Sequence, residues 1–279
     1  MGICKYCGKS AGFLRSVHKS CRRINEKAKD EIVEQAKKAA AGQVDLGTFE
    51  GAVKQAASAA YIDDSMLKSL LILGWEKASS VALEDNLLTS EEEKSLEAFI
   101  KAFNLDQDSL DINGAYSNII KASIIREVLD GKIPAKVQSD IQLPFNLQKD
   151  ELIVWIFRGV PYYEQRTRIR YEGGYSGVSI RIAKGLYYRT GGFRGNPVAT
   201  TNMVKIDNGI LGVTNKHVYF AGGIKSFRIP YAKVVSFAPY SDGIGIQKDG
   251  VTAKPQIFIT NDGWFTYNLI SNLAQLGRD

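Results

Sequence analysis

Cys4-Lys5-Tyr6-Cys7-Gly8 and His18-Lys19-Ser20-Cys21 hold all three cysteines of the 279-residue chain and one of its two histidines, in the spacing C-x2-C-x10-H-x2-C. A Cys-x-x-Cys turn sets two sulfurs side by side, and Gly8 permits the tight knuckle behind them. A second short pair, His18 and Cys21, completes four donors, the number and type that suit tetrahedral Zn²⁺. So short a segment buries too little apolar surface to fold alone, and a bound metal supplies the missing free energy. Three free thiols beside an unrelated histidine are the alternative. A redox Cys-x-x-Cys fits less well, because no βαβ pattern surrounds it. The spacing predicts a closed, structural zinc knuckle over residues 1–24, with Cys4, Cys7, His18 and Cys21 as ligands and no open coordination position.

The charge distribution supports a modular chain. Residues 1–29 carry eight basic side chains against Glu26 alone, a charge of +7. Residues 30–135 carry −9 and residues 136–279 carry +8, which together make the net +6. Hydrophobic content of 44% allows ordinary globular cores. No apolar run reaches the length of a bilayer span. Met1 to Arg23 lacks the apolar region of a signal peptide, and Tyr6 stands where a myristoylation motif wants Ser or Thr. Cysteines confined to one knuckle point to a reducing compartment, and a cytoplasmic location is expected.

Beyond the knuckle, Ile24, Ala28, Ile32, Val33, Ala36 and Ala40 recur at helical spacing, and Gly42 stands at a C′ position. Phe49, Val53, Ala56 and Ala60 repeat the pattern. Asp63 or Asp64 caps a third helix through Leu67, Leu70, Leu71, Gly74, Trp75 and Ala78. Thr89-Ser90-Glu91-Glu92 reads as a capping box. A last helix is expected over about 112–129, ended by Gly131 and Pro134. The acidic stretch from Ala82 to Glu93 fails as a calcium loop, because Leu87 and Leu88 occupy ligand and turn positions. Together with the Thr-capped helix after it, this stretch resembles the helix-turn-helix of TerB-type tellurite-resistance domains over about 71–110. Asn86 replaces the usual turn glycine, so that family's metal binding is not carried over. The resemblance implies a helical bundle over 25–135.

From Glu151 the texture changes to β. Leu152-Ile153-Val154-Trp155-Ile156-Phe157 reads as a buried strand. Arg166, Arg168 and Arg170 alternate with Thr167, Ile169 and Tyr171, so three guanidinium groups share one strand face. Turns are expected at Gly173-Gly174, Gly191-Gly192, Asp207-Asn208-Gly209, Gly222-Gly223, Asp242-Gly243, Asp249-Gly250 and Asp262-Gly263. An antiparallel sandwich or barrel follows. Phe265, Leu269, Ile270, Leu273 and Leu276 then form an amphipathic terminal helix. The run from Gly209 to Phe220, with Phe227-Arg228-Ile229-Pro230-Tyr231-Ala232-Lys233-Val234, is similar to the core of GRAM and bacterial PH-like domains. That resemblance implies a barrel of seven bent strands over 148–279, closed by the terminal helix, and a binding module for lipid head groups or proteins. Gly212 departs from its usual Leu or β-branched residue. The whole is expected to be an α+β chain of zinc knuckle, TerB-like helical bundle and PH/GRAM-like β-barrel.

Catalytic motifs are missing: there is no Walker A, H-E-x-x-H or G-x-S-x-G sequence. His217 is expected to be structural, and carboxylate pairs fall at helix starts, where capping explains them. The expected function is non-enzymatic recognition of a protein partner or an anionic membrane. The candidate contacts are Arg166, Arg168, Arg170, Arg181, Lys184 and Arg194, with Tyr162, Tyr163, Tyr187 and Tyr188 nearby. The alternative is nucleic acid gripped by residues 1–29, with Tyr6 or Phe13 stacking on bases. The two resemblances together suggest a role in bacterial stress or phage-conflict response.

Overall fold

A computed structural model describes residues 2–276 apart from 14, 86, 135–142, 184–185 and 251–252, and for 167–201 it describes the backbone only. The chain forms two compact units, Met1–Lys132 and Ile133–Asp279.

The first unit opens with a two-stranded hairpin of β1 (Gly2–Ile3) and β2 (Ser10–Gly12). Helices α1 (Lys19–Ala40), α2 (Leu46–Ala59), α3 (Asp64–Ala82), α4 (Ser90–Ala102), the short α5 (Gln107–Leu110) and α6 (Ala115–Leu129) follow. Their ends are set locally. Asp63 accepts the Met66 N–H to start α3, and Thr89 and Glu92 form the reciprocal capping box of α4. Gly42 and Gly131 take left-handed conformations just past α1 and α6. The expected last helix starts at Ala115: Gly114, with φ near +74°, is the N-cap of α6, and the separate turn α5 lies before the expected range.

The core gathers the apolar stripes of these helices around Trp75, which is fully buried and donates its indole N–H to the Leu96 carbonyl at 3.2 Å. Phe49, Phe99 and Phe103 make a tilted and edge-on cluster beside it. Ile24, expected in the buried stripe of α1, is 48% exposed. Its neighbour Asn25 is buried instead and donates to the Ala60 carbonyl at 2.8 Å, beyond the end of α2. At Gly74, α3 and α1 come into close contact. A Cβ there would lie 2.4 Å from the Ala36 Cβ and 3.0 Å from the Val33 carbonyl oxygen.

The second unit is a seven-stranded antiparallel sheet in the order β6-β5-β4-β3-β9-β8-β7. Its strands are β3 (Ile153–Ala183), β4 (Leu186–Thr214), β5 (His217–Gly222), β6 (Ser226–Pro230), β7 (Val234–Tyr240), β8 (Gly243–Lys248) and β9 (Gln256–Ile259). Helix α7 (Gly263–Leu276) packs on β7 and β8 through Phe265, Leu269, Ile270 and Leu273. The inner face is aromatic: Tyr162 lies within 5.2 Å, centroid to centroid, of Phe220, Phe227 and Phe258.

Two expectations are corrected here. The sheet does not close into a barrel. Closure would need its first and last strands, β6 and β7, to pair. The chain leaves β6 at Pro230 and passes through a single 3-10 turn, Tyr231–Lys233, into β7, which pairs with β8 instead. The second correction concerns turns. Gly173-Gly174, Gly191-Gly192 and Asp207-Asn208-Gly209 lie inside the long β3–β4 ribbon, where Gly173 faces Gly195 and Gly177 faces Gly191 in continuous register. Glycine pairs permit a reversal without forcing one, and cross-strand pairing on both sides carries the chain straight through. The signals at Gly222-Gly223, Asp242-Gly243 and Asp249-Gly250 do join consecutive strands. At Gly212, where a Cβ would meet the Phe145 ring at 2.6 Å, the absent side chain makes room for an aromatic cover on the strand.

Replacing Gly74 by Val should destabilise the helical unit by about 1–3 kcal/mol through overpacking. Denaturant unfolding should show Ala36→Gly recovering part of that loss, a positive coupling that substitution at a loosely packed site would not give.

Candidate functional site

The first site is the N-terminal metal cluster. The donor atoms of Cys4, Cys7, His18 and Cys21 all lie within 4.8 Å of one another and could hold a metal ion. Each is placed by a local device. The Cys4–Cys7 knuckle is closed by the Gly8 N–H donating to the Cys4 carbonyl, with Gly8 at φ +69°. Cys21 sits in the first turn of α1, and His18 is the residue before that helix begins. His18 turns Nδ1 toward the sulfurs, 3.3 Å from Cys7 Sγ and 3.7 Å from Cys21 Sγ, while Nε2 lies 2.9 Å from the Ser10 carbonyl oxygen. A carbonyl can only accept, so Nε2 carries the proton and the Nδ1 lone pair points into the cluster of sulfurs. Outer hydrogen bonds fix metal-binding histidines in this way.

The electrostatics of the four groups suit a bound cation. Burial opposes charge on Cys4, yet N–H donors from Cys7, His18 and Tyr6 outweigh it and bring the thiol down to about 6. Burial and the adjacent thiols of Cys7 and Cys4 push the Cys21 thiol up. The Ser10 carbonyl and then the Cys7 thiol raise His18. Sulfurs this close cannot all ionise without a positive charge among them, and a divalent ion supplies it. With three thiolates and a neutral imidazole around it, such a site would carry a net charge of about −1, which suits the start of α1, whose first turn has no acidic residue and whose N-cap side chain makes no capping bond.

Around the cluster the surface is basic, and Phe13 stands 83% exposed. Tyr6 is half-buried, 6.2 Å from the Tyr61 ring, with the Lys5 ammonium over its face. Of the two expected stacking groups, only Phe13 is open to solvent to that degree.

In the β unit, His217 is buried. Its Nδ1 lies 2.8 Å from Glu151 Oε1. Thr214 also donates to Oε1, at 2.5 Å, and Tyr219 and the Gln148 N–H donate to Oε2, each at 2.8 Å. Burial works against the Glu151 charge, but these donors prevail and hold its carboxyl below the usual range. Glu151 was not singled out from sequence. Its side-chain partners are 63 to 68 residues away, and no local spacing announces them.

Of the expected arginine contacts, Arg166 is exposed on β3. Lys184 lies outside the described residues, as do the side chains of Arg168, Arg170, Arg181, Arg194, Tyr187 and Tyr188. Tyr162 is no surface contact: it is fully buried, accepts from Gln256 Nε2 and donates to Glu164.

Sequence reading missed a basic cleft beside the open end of the sheet. A cavity of about 530 Å³ is lined by Arg228 and Pro230 of β6, Lys233, Lys248, Lys254 and the start of β9 at Gln256. A second hollow, at the β5–β6 turn, shares Glu164, Lys248 and Gln256 with it. The wall carboxylates are Glu164 and Asp249, and Glu164 is already bound by Lys225 and Tyr162. Among the described residues, Lys233, Lys248 and Lys254 make no ion pair. Gln256 is 6% exposed, and its buried Oε1 has no hydrogen-bond partner among the described residues.

No family model and no curated protein matches this sequence. No helix among the described residues is long and apolar enough to cross a membrane.

Elemental analysis of the freshly purified chain should find close to one metal ion per molecule. Chelation, or Cys4→Ser with Cys21→Ser, should lower the thermal midpoint of the helical unit by several degrees or more. Glu151→Gln should cost about 2–4 kcal/mol, since donors built for a charge lose it. Because the Glu151 pKa is lowered in the fold from its ordinary 4.5, the unfolded chain takes up that proton more readily. Its contribution is therefore full at neutral pH and fades as pH falls through the folded-state value. Acid titration of unfolding should show the wild-type advantage over Glu151→Gln shrinking below pH 4.5.

Proposed function

We propose that this chain is a non-enzymatic binding protein, with a structural zinc ion ordering its N-terminal tip and a β unit that recognises an acidic partner. Zinc suits the donor set, three soft sulfurs and one imidazole nitrogen. At about 2.3 Å per Zn–S bond, a tetrahedron spaces its sulfurs by roughly 3.8 Å, so the cluster needs about an ångström of contraction at most. Four protein ligands leave no position for substrate.

The observation that carries the recognition reading is the cleft of Lys233, Lys248 and Lys254, three ammonium groups around one cavity that have no ion-pair partner among the described residues. Single lysines on a surface are ordinary; convergent ones without partners favour an anion. An acidic protein segment and an anionic membrane both offer that chemistry, and the PH/GRAM-like motifs are compatible with either. The TerB-like and PH/GRAM-like resemblances rest on the motifs quoted above, and a place in bacterial stress or phage-conflict response rests on those resemblances alone. A second reading, nucleic acid held by the zinc knuckle, is favoured by one observation: Phe13 is 83% exposed within a segment of net charge +7.

The full chain should bind immobilised polyglutamate, vesicles rich in phosphatidylserine, or both, more weakly as salt rises. The triple variant Lys233→Glu, Lys248→Glu, Lys254→Glu should lose that binding. Binding that the triple variant retains would sink the cleft reading. Single-stranded DNA binding abolished by Phe13→Ser would move the activity to the knuckle.

A further inference from the structure

The free edge of β6 borders the basic cleft, and its backbone polarity follows from the register. Gly222 N–H donates to the Lys225 carbonyl at 2.8 Å, and Tyr231 N–H to the Lys216 carbonyl at 3.3 Å. Between those two bonds the paired positions are Ala221 with Ser226, Phe220 with Phe227, Tyr219 with Arg228, Val218 with Ile229 and His217 with Pro230. Hydrogen-bonded and non-bonded pairs alternate in an antiparallel ladder. Phe227 and Ile229 therefore direct their N–H and C=O groups to β5. Ser226 and Arg228 direct theirs outward, together with the Pro230 carbonyl. The sheet ends at β6, so no strand among the described residues takes up these groups.

We propose that β6 is a docking edge for an extended acidic peptide of a partner protein, which adds as a further antiparallel or parallel strand along Ser226–Pro230 and sends carboxylates into the cleft. The proposal deepens the recognition reading above and rests on it. Three features converge. The edge supplies main-chain donors and acceptors, the usual source of affinity in strand addition. Arg228 and Pro230 belong both to that edge and to the cleft wall, so a strand paired there runs past Lys233, Lys248 and Lys254. Gln256, whose buried Oε1 has no hydrogen-bond partner among the described residues, lines the same cleft. A lipid head group could satisfy the lysines but has no use for a row of alternating backbone groups, which favours the peptide. The edge is short, charged and ended by proline, features that discourage indiscriminate strand pairing. Side-chain charge is then the specificity element, since a basic or neutral strand would leave the ammonium groups uncompensated.

The test uses the full chain and a fluorescein-labelled eight-residue peptide of alternating Glu and Val, with binding read by fluorescence anisotropy. The parent peptide should bind, and the Lys233→Glu, Lys248→Glu variant should weaken it at least tenfold. A peptide with N-methyl groups along both edges should also bind at least tenfold more weakly, and an alternating Lys and Val peptide should not bind. Equal affinity of the methylated and parent peptides would overturn strand pairing while leaving recognition of charge by the β unit intact. Binding to phosphatidylserine vesicles with no binding of the parent peptide would overturn the proposal in favour of a lipid surface. If the double variant bound the parent peptide undiminished, both the pairing site and the charge reading of the cleft would fall.

Discussion

Among the described residues, the N-terminal tip has a buried cluster of just three side chains, Cys4, Ala11 and Cys21, two of which are thiols. One alanine and two sulfurs cannot offset the conformational entropy of ordering some twenty residues, which at about 1–2 kcal/mol each exceeds any burial the tip achieves. Nor can charge help, for the segment repels itself. What holds the tip must therefore act at the sulfurs. A cation bound there would answer three needs together: it would join the hairpin to α1, relieve thiolate repulsion, and complete a net-anionic cluster at an otherwise uncompensated helix start.

The β unit handles buried charge differently. Glu151 is surrounded by four donors contributed by one strap residue and by β4 and β5. Hydroxyl, imidazole and backbone groups make these bonds, and among the described residues no arginine or lysine does. In the helical unit Glu93 is bound by Arg126 and Ser123, a charged solution to the same problem. Removing one partner is costly in both cases, because what remains is a desolvated group without its complement.

Legibility in the sequence follows the range of each interaction. The capping box at Thr89, the Asp63 cap and the glycine stops at Gly42 and Gly131 involve neighbours three or four residues apart, and their residue types announce them. The four candidate metal ligands are legible because 18 residues hold the whole set. Asn25, Glu151 and Gln256 were illegible, since each is explained by partners 35 or more residues away. Strand phase was partly hidden too. Val154, Phe157, Val160 and Tyr162 are all buried, a spacing that no simple alternation produces. Register shifts between Ile153 and Trp155 and between Phe157 and Val160 change which side chains face inward. Tyr162 was thereby mistaken for a surface residue.

Barrel closure is not encoded locally at all. It is decided by whether the two outer strands of a curved sheet reach each other, and here the tight turn at Tyr231–Lys233 sends β7 to β8 before β6 can meet it. An unclosed sheet has a cost, namely an edge of polar backbone groups that attracts other strands. This chain meets that cost with charge: Arg228 on the edge, and Lys233, Lys248 and Lys254 beside it, make approach by a second basic β unit unfavourable. The same charges make approach by an acidic strand favourable. On the proposed reading, protection from self-association and selection of a partner would thus arise from one set of side chains, so that an open edge can persist in a basic domain without becoming an indiscriminate one.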